Sequence, residues 1–134
     1  MYSSFHSSVA IGILLMDLTW SVKVPLAVAS HIAVDALGEH GVKNSLKWEI
    51  PLHAFLCAVG LFISPFMLGV ILSGVLCGNA IDIFDKIFMQ RLIGKELIHS
   101  APWYPKLIIQ FTEKQTIWAD VISVIIAGGL LWAI

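Results

Sequence analysis

The chain holds 134 residues, 58% of them hydrophobic and 13% charged, with a mean hydropathy of +0.89. Soluble domains run at roughly 45–50% apolar and about 25% charged, so the composition excludes most soluble folds and points to lipid as the solvent. Eight basic residues against nine acidic ones leave no basic footprint for nucleic acid. At ~1.5 Å per helical residue the length allows about five bilayer crossings and leaves nothing for a large soluble catalytic domain.

The first apolar run, residues 9–20 (VAIGILLMDLTW), leads through SVKVP into a second, residues 26–37 (LAVASHIAVDAL). Pro25 removes a backbone donor and disfavours a helical residue before it, so Ser21, Val22 and Lys23 are the expected break of a helical hairpin. No basic stretch precedes the first run and no small-residue cleavage site follows it, so it is read as structure and not as a signal peptide. Residues 38–47 (GEHGVKNSLK) have loop composition. A third run, 50–64, and a fourth, 66–84, would form a rod of ~50 Å if continuous, which predicts a second hairpin turning near Pro65. Residues 86–116 mix five basic residues with Trp103 and Tyr104, as expected of an interfacial segment. Residues 117–134 form the last apolar run.

The expected fold is therefore all-α: a single membrane domain, 1–134, of about five short transmembrane helices. It comprises two pseudo-repeated hairpins (5–40 and 50–88), an interfacial loop (89–116) and a C-terminal helix (117–134). Lys43 and Lys47 follow the first hairpin, and Lys86, Arg91, Lys95, Lys106 and Lys114 follow the second, leaving Lys23 alone on the other side. The positive-inside rule places the N-terminus and both loops in the cytoplasm of an inner or plasma membrane.

An offset of 47 residues superimposes His53 on His6 and Asp82 on Asp35, each histidine standing 29 residues before its aspartate. These residues, with His31 and Asp85, fall at the helix ends on the predicted cytoplasmic face, and His99 in the long loop can fold back to join them. His31 and Asp35 share one helix face, as do Asp82 and Asp85. Ionisable groups in membrane helices are costly and face a bundle interior or cavity. A set of imidazoles and carboxylates suits a divalent ion, with zinc, manganese and iron all compatible. Two ions would clamp a phosphoryl or acyl transition state, whereas one with an open position would acidify a bound water.

Other residues have simpler expectations. Glu39 and His40 read as a solvated loop pair and Trp103 and Tyr104 as belt aromatics. Asp120 is expected against the N-terminal dipole of the last helix. Gly69, Ser73, Gly74 and Gly78 read as close-packing positions, and so do Gly128 and Gly129, within the bundle or between subunits of a homo-oligomer. Cys57 and Cys77 lie in apolar runs and suggest no disulfide framework.

The phrase ASHIAVDALGEHGV, residues 29–42, resembles the sH-x-x-x-D-a-l-t-x-x-G-V segment of membrane-bound families titled metal-dependent hydrolases. FHSSVAIG, residues 5–12, resembles the T-H-S start of a hairpin in those families. GNAIDIFDK, residues 78–86, resembles the P-D-x-D end of one, and IHS, residues 98–100, a second histidine-serine start. The two hairpins stand in exchanged order and the proline of P-D-x-D is absent. The resemblance implies a multi-pass membrane protein with a metal site drawn from His6, His31, Asp35, His53 and Asp82, extended by Asp85 and His99.

The leading functional expectation is a metal-dependent hydrolase working at the cytoplasmic membrane face on a lipid or phosphate-bearing substrate. In it His6, His31, Asp35, His53 and Asp82 hold the ion, and Asp85 and His99 move protons. Two alternatives use the same residues: an ion station between repeated hairpins of a small transporter or channel, and internal pairing within a non-catalytic assembly subunit.

Overall fold

Helices make up all the regular structure described by the computed structural model, which covers residues 3–36, 46–105 and 111–134. Helices α1 (Ser3–Leu15) and α2 (Trp20–Asp35) form one hairpin, and α3 (Leu46–Ile63) and α4 (Pro65–Gly78) a second. Beyond Asn79, α5 (Ala80–Asp82), a π-helical stretch (Ile83–Met89) and α6 (Gln90–Ile93) run on as one arm bent by 51° from α4. Helix α7 (Glu113–Ala133) ends the bundle. Glu39, His40, Lys43 and Lys106 lie outside the described residues.

The second turn falls where proline predicted it. Ser64 is extended and accepts the Met67 N–H at 3.2 Å, with Pro65 in the first helical position, where its missing donor costs nothing. The first turn does not. It occupies residues 16–19, and Pro25 sits inside α2. The carbonyl deprived of a partner by Pro25 belongs to Ser21, in the exposed first turn, so the helix tolerates the ring. Lys23 fastens this corner instead: its Nζ donates to the Leu14 carbonyl at 3.1 Å and lies 5.4 Å from the Trp20 ring centre. At the start of α7, Thr112 and Gln115 form a reciprocal capping box.

Helix α1 is the hub, packed against α2, α3, α4 and α7. Ile11 joins Leu56, Ile71, Val124, Ala127 and Leu131 in one apolar cluster, while Ala10 and Leu14 meet Ala27 and Val70 in another. Contact with α4 is backbone to backbone. A Cβ on Gly74 would stand 3.1 Å from the Ile11 Cα, and one on Gly78 only 2.6 Å from the His6 carbonyl oxygen. Both glycines are thus interface residues, and their smallness sets how near His6 comes to the end of α4.

By length and composition, α7 is the one helix among the described residues able to cross a bilayer alone. Its 21 residues extend ~31 Å against a hydrocarbon core of about 30 Å. Of the expected five spans this test passes one, or two if the bent pair is a single span: α4 and the 80–93 arm pass only together and bent, and α1 has 13 residues. Large apolar side chains nonetheless face outward around the bundle, among them Trp20, Phe55, Phe62, Leu76, Ile125 and Trp132.

Candidate metal centre

The site is assembled where α2, α4 and α5 end beside the start of α1. Helix α2 carries His31 and Asp35 one turn apart on a single face. Asn79 interrupts the helix between α4 and α5, and the Gly78 carbonyl accepts the Nδ1–H of His31 at 2.7 Å. Because a carbonyl can only accept, this bond places a proton on Nδ1, and a neutral ring then presents a lone pair on Nε2. That Nε2 is buried, 3.4 Å from Asp35 Oδ2 and 3.4 Å from Asp82 Oδ2.

His99 arrives from the segment after α6 and is arranged in the same way. Its Nδ1–H is donated to Asp85 Oδ2 at 2.7 Å, and its Nε2 stands 3.5 Å from Asp35 Oδ2 and 3.3 Å from Asp82 Oδ1. Two imidazole Nε2 atoms and the carboxylates of Asp35 and Asp82 therefore converge. Neither His31 Nε2 nor His99 Nε2 has a hydrogen-bond partner, and Asp82 Oδ2 has none either. Buried polar atoms without partners cost on the order of 1–3 kcal/mol each, a cost that imidazole protons or a bound cation would relieve. His31, Asp82 and His99, and likewise His6, His31 and Asp35, bring ligand atoms within 4.8 Å of one another, so these groups could hold a metal ion.

Three further residues brace the carboxylates. His6, fully buried, sets Nε2 3.1 Å from Asp35 Oδ1 and stacks on the His31 ring with centres 4.1 Å apart. Tyr104 donates its hydroxyl to Asp35 Oδ2 and lies with its ring 4.9 Å from that of His99. Burial and the adjacent Asp35 carboxylate hold the Tyr104 phenol above its usual pKa, so it remains a donor. Lys86, one turn beyond Asp82, sets Nζ 2.7 Å from Asp82 Oδ1.

Of the residues expected at the site, His6, His31, Asp35, Asp82, Asp85 and His99 are brought together and His53 is turned elsewhere. His53 donates Nδ1–H to the Glu49 carbonyl at 2.8 Å and accepts from the Ser7 hydroxyl at 2.9 Å. Asn79 in turn donates to Ser7 Oγ at 3.0 Å. The matched spacing of His6 with Asp35 and of His53 with Asp82 thus has unlike outcomes. Asp85 accepts N–H groups on both oxygens, so although it comes near Glu96 and His99 its lone pairs are already taken. Asp120 lies two turns into α7 and faces the N–H of Phe5, so it supports the start of α1 and not of its own helix.

Tyr104 is the participant that sequence reasoning assigned to the membrane interface. Beside Trp103 it carries an interfacial signature, and Trp103 is indeed exposed. The return of residues 97–99 onto Asp85, which turns Tyr104 inward, leaves no local pattern. Comparison with known protein families, curated proteins and solved structures finds no match for the chain.

Proposed function

We propose that the chain is an integral membrane protein whose His31, Asp35, Asp82 and His99 bind one divalent metal ion, used to hydrolyse a lipid or phosphate-bearing substrate at the cytoplasmic face. The observation that carries this reading is the convergence of two imidazole nitrogens with two carboxylates. His31 Nε2 lies 3.4 Å from Asp35 Oδ2 and from Asp82 Oδ2, and His99 Nε2 lies 3.5 Å from Asp35 Oδ2 and 3.3 Å from Asp82 Oδ1; a donor set of two imidazoles and two carboxylates suits zinc, with manganese and iron also compatible.

The rest of the site fits the charge of such an ion. Asp35 and Asp82 bring two negative charges and Lys86 offsets one. When bound, the ion supplies Lewis-acid polarisation of a scissile carbonyl or phosphoryl group and makes water acidic near neutral pH. His6 and Tyr104 hold the Asp35 carboxylate in orientation from two sides. Lys86, partly exposed beside Asp82, is the cation placed to receive a phosphate group. The outward apolar side chains and the span-length α7 support placement in a bilayer, and the surplus of lysine and arginine after the second hairpin supports a cytoplasmic site.

Element-resolved metal analysis of the protein purified in detergent without chelator tests the reading. One zinc per chain is expected in the parent, and none in a His31→Ala, Asp35→Ala double variant that keeps its helix content. Parent protein without metal, even after reloading, would sink it. With zinc established, hydrolysis of phospholipid and phosphomonoester probes is to be compared between the same two proteins, and equal rates would remove the hydrolase assignment.

A further inference from the structure

Three of the four converging side chains sit on helices: His31 and Asp35 on α2, and Asp82 at the end of α5. The fourth, His99, sits on a segment that leaves α6 at Gly94, whose φ of 71° is a left-handed helix stop. No helix of its own supports His99. One side chain collects the segment instead: Asp85, fully buried on the π-helical stretch. Asp85 Oδ1 accepts from the backbone N–H of Leu97 at 2.5 Å and of Ile98 at 3.0 Å, and Oδ2 accepts from Ile98 at 3.0 Å and from the His99 backbone at 2.8 Å. The same Oδ2 takes the His99 Nδ1–H at 2.7 Å.

We propose that Asp85 is the positioning residue of the metal centre: it holds residues 97–99 and fixes the His99 tautomer, so that His99 Nε2 completes a ligand set whose other three members are helix-borne. This rests on the metal reading above and adds the residue that controls the fourth ligand. Asp85 is not itself a ligand or a proton carrier, because its oxygens are committed to four N–H groups. Carboxylates that accept the second nitrogen of a ligating histidine set its orientation and basicity, and their loss typically weakens metal binding about 10–100-fold.

The test uses cobalt(II) as the metal, because its visible spectrum reports ligand number and type, on the parent, Asp85→Asn and His99→Ala proteins in detergent. Asp85→Asn and His99→Ala are expected to share one altered spectrum and to bind cobalt about 10–100-fold more weakly than the parent. Hydrogen exchange supplies a second readout. In the parent the amides of Leu97, Ile98 and His99 gain protection when cobalt is added, and in Asp85→Asn they stay unprotected. Cobalt bound by Asp85→Asn with the parent's spectrum and affinity overturns the positioning role and leaves the metal reading standing. If Asp85→Asn loses its helix content, His99→Ala and the parent decide: an unaltered His99→Ala spectrum, or parent amides indifferent to cobalt, overturns the proposal. A parent that takes up no cobalt overturns the metal reading and this proposal together.

Discussion

His6 and Ser7 are neighbours on α1, yet they belong to two polar regions built on opposite principles. Around His6, imidazole nitrogens face carboxylate oxygens: His31 Nε2 and His99 Nε2 stand 3.3–3.5 Å from the oxygens of Asp35 and Asp82. Around Ser7 every step is a donor meeting an acceptor, from Asn79 to Ser7, from Ser7 to His53 and from His53 to the Glu49 carbonyl, at 3.0, 2.9 and 2.8 Å. Both regions contain histidine, fully buried at His6 and His31 and half-buried at His53. Only the first gathers two carboxylates against imidazole nitrogens, and that combination, more than histidine alone, is what marks a candidate cation site.

The sharpest way to break the contrast is to remove one histidine from each side. His31→Ala is expected to lower zinc affinity at least about 100-fold, since a direct ligand matters more than the outer partners, whose loss costs about 10–100-fold. His53→Ala is expected to keep one zinc per chain while lowering the unfolding midpoint in detergent. Metal analysis beside thermal unfolding separates the two, and loss of zinc in His53→Ala would erase the distinction. Gly78→Ala strikes both regions at once. Its methyl would meet the His6 carbonyl oxygen at 2.6 Å, forcing α1 from α4. A cost of about 1–3 kcal/mol is expected from unfolding titrations, with weaker zinc binding as well.

Much of this arrangement was legible in the sequence, and the exceptions have physical causes. The two helix pairs, the turn at Pro65, and the shared face of His31 and Asp35 follow from local rules: proline chemistry and the 3.6-residue period. The turn before α2 was misplaced because Pro25 lies early enough in the helix for its missing bond to fall on exposed Ser21. His53 and His6 look alike by spacing, and what separates them is the choice of partner made when α3 packs against α1, which no offset encodes. The same holds for Asp120, whose own helix N-terminus lies two turns away while that of α1 is adjacent. Tyr104 and the role of Asp85 depend on residues 97–99 folding back from Gly94, a long-range event that leaves no periodic trace.

Tyr104→Phe sharpens the first region with a smaller effect. The ring keeps its place against His99 while Asp35 loses the hydroxyl donor, so zinc affinity is expected to fall about 10-fold, the lower end for an outer partner. Competition against a chromogenic chelator reads this directly, and an unchanged affinity would return Tyr104 to the purely interfacial role that its neighbour Trp103 suggests.

The smallest expected effect belongs to the second region and tests whether its hydrogen bonds act as a chain. Ser7→Ala removes the hydroxyl that accepts from Asn79 and donates to His53. A typical net loss is about 1 kcal/mol, because folding exchanges such bonds for bonds to water. If the chain is directional, Ser7→Ala and His53→Ala share part of their cost, and the double variant falls short of the sum by roughly 0.5 kcal/mol or more. Strict additivity in unfolding titrations would mean that the two groups are satisfied independently. Zinc content in Ser7→Ala is expected to match the parent, since His6, the neighbouring residue, faces Asp35 and not the Ser7 network. Zinc loss there would show that α1 transmits between its two faces, and the two regions would then be one.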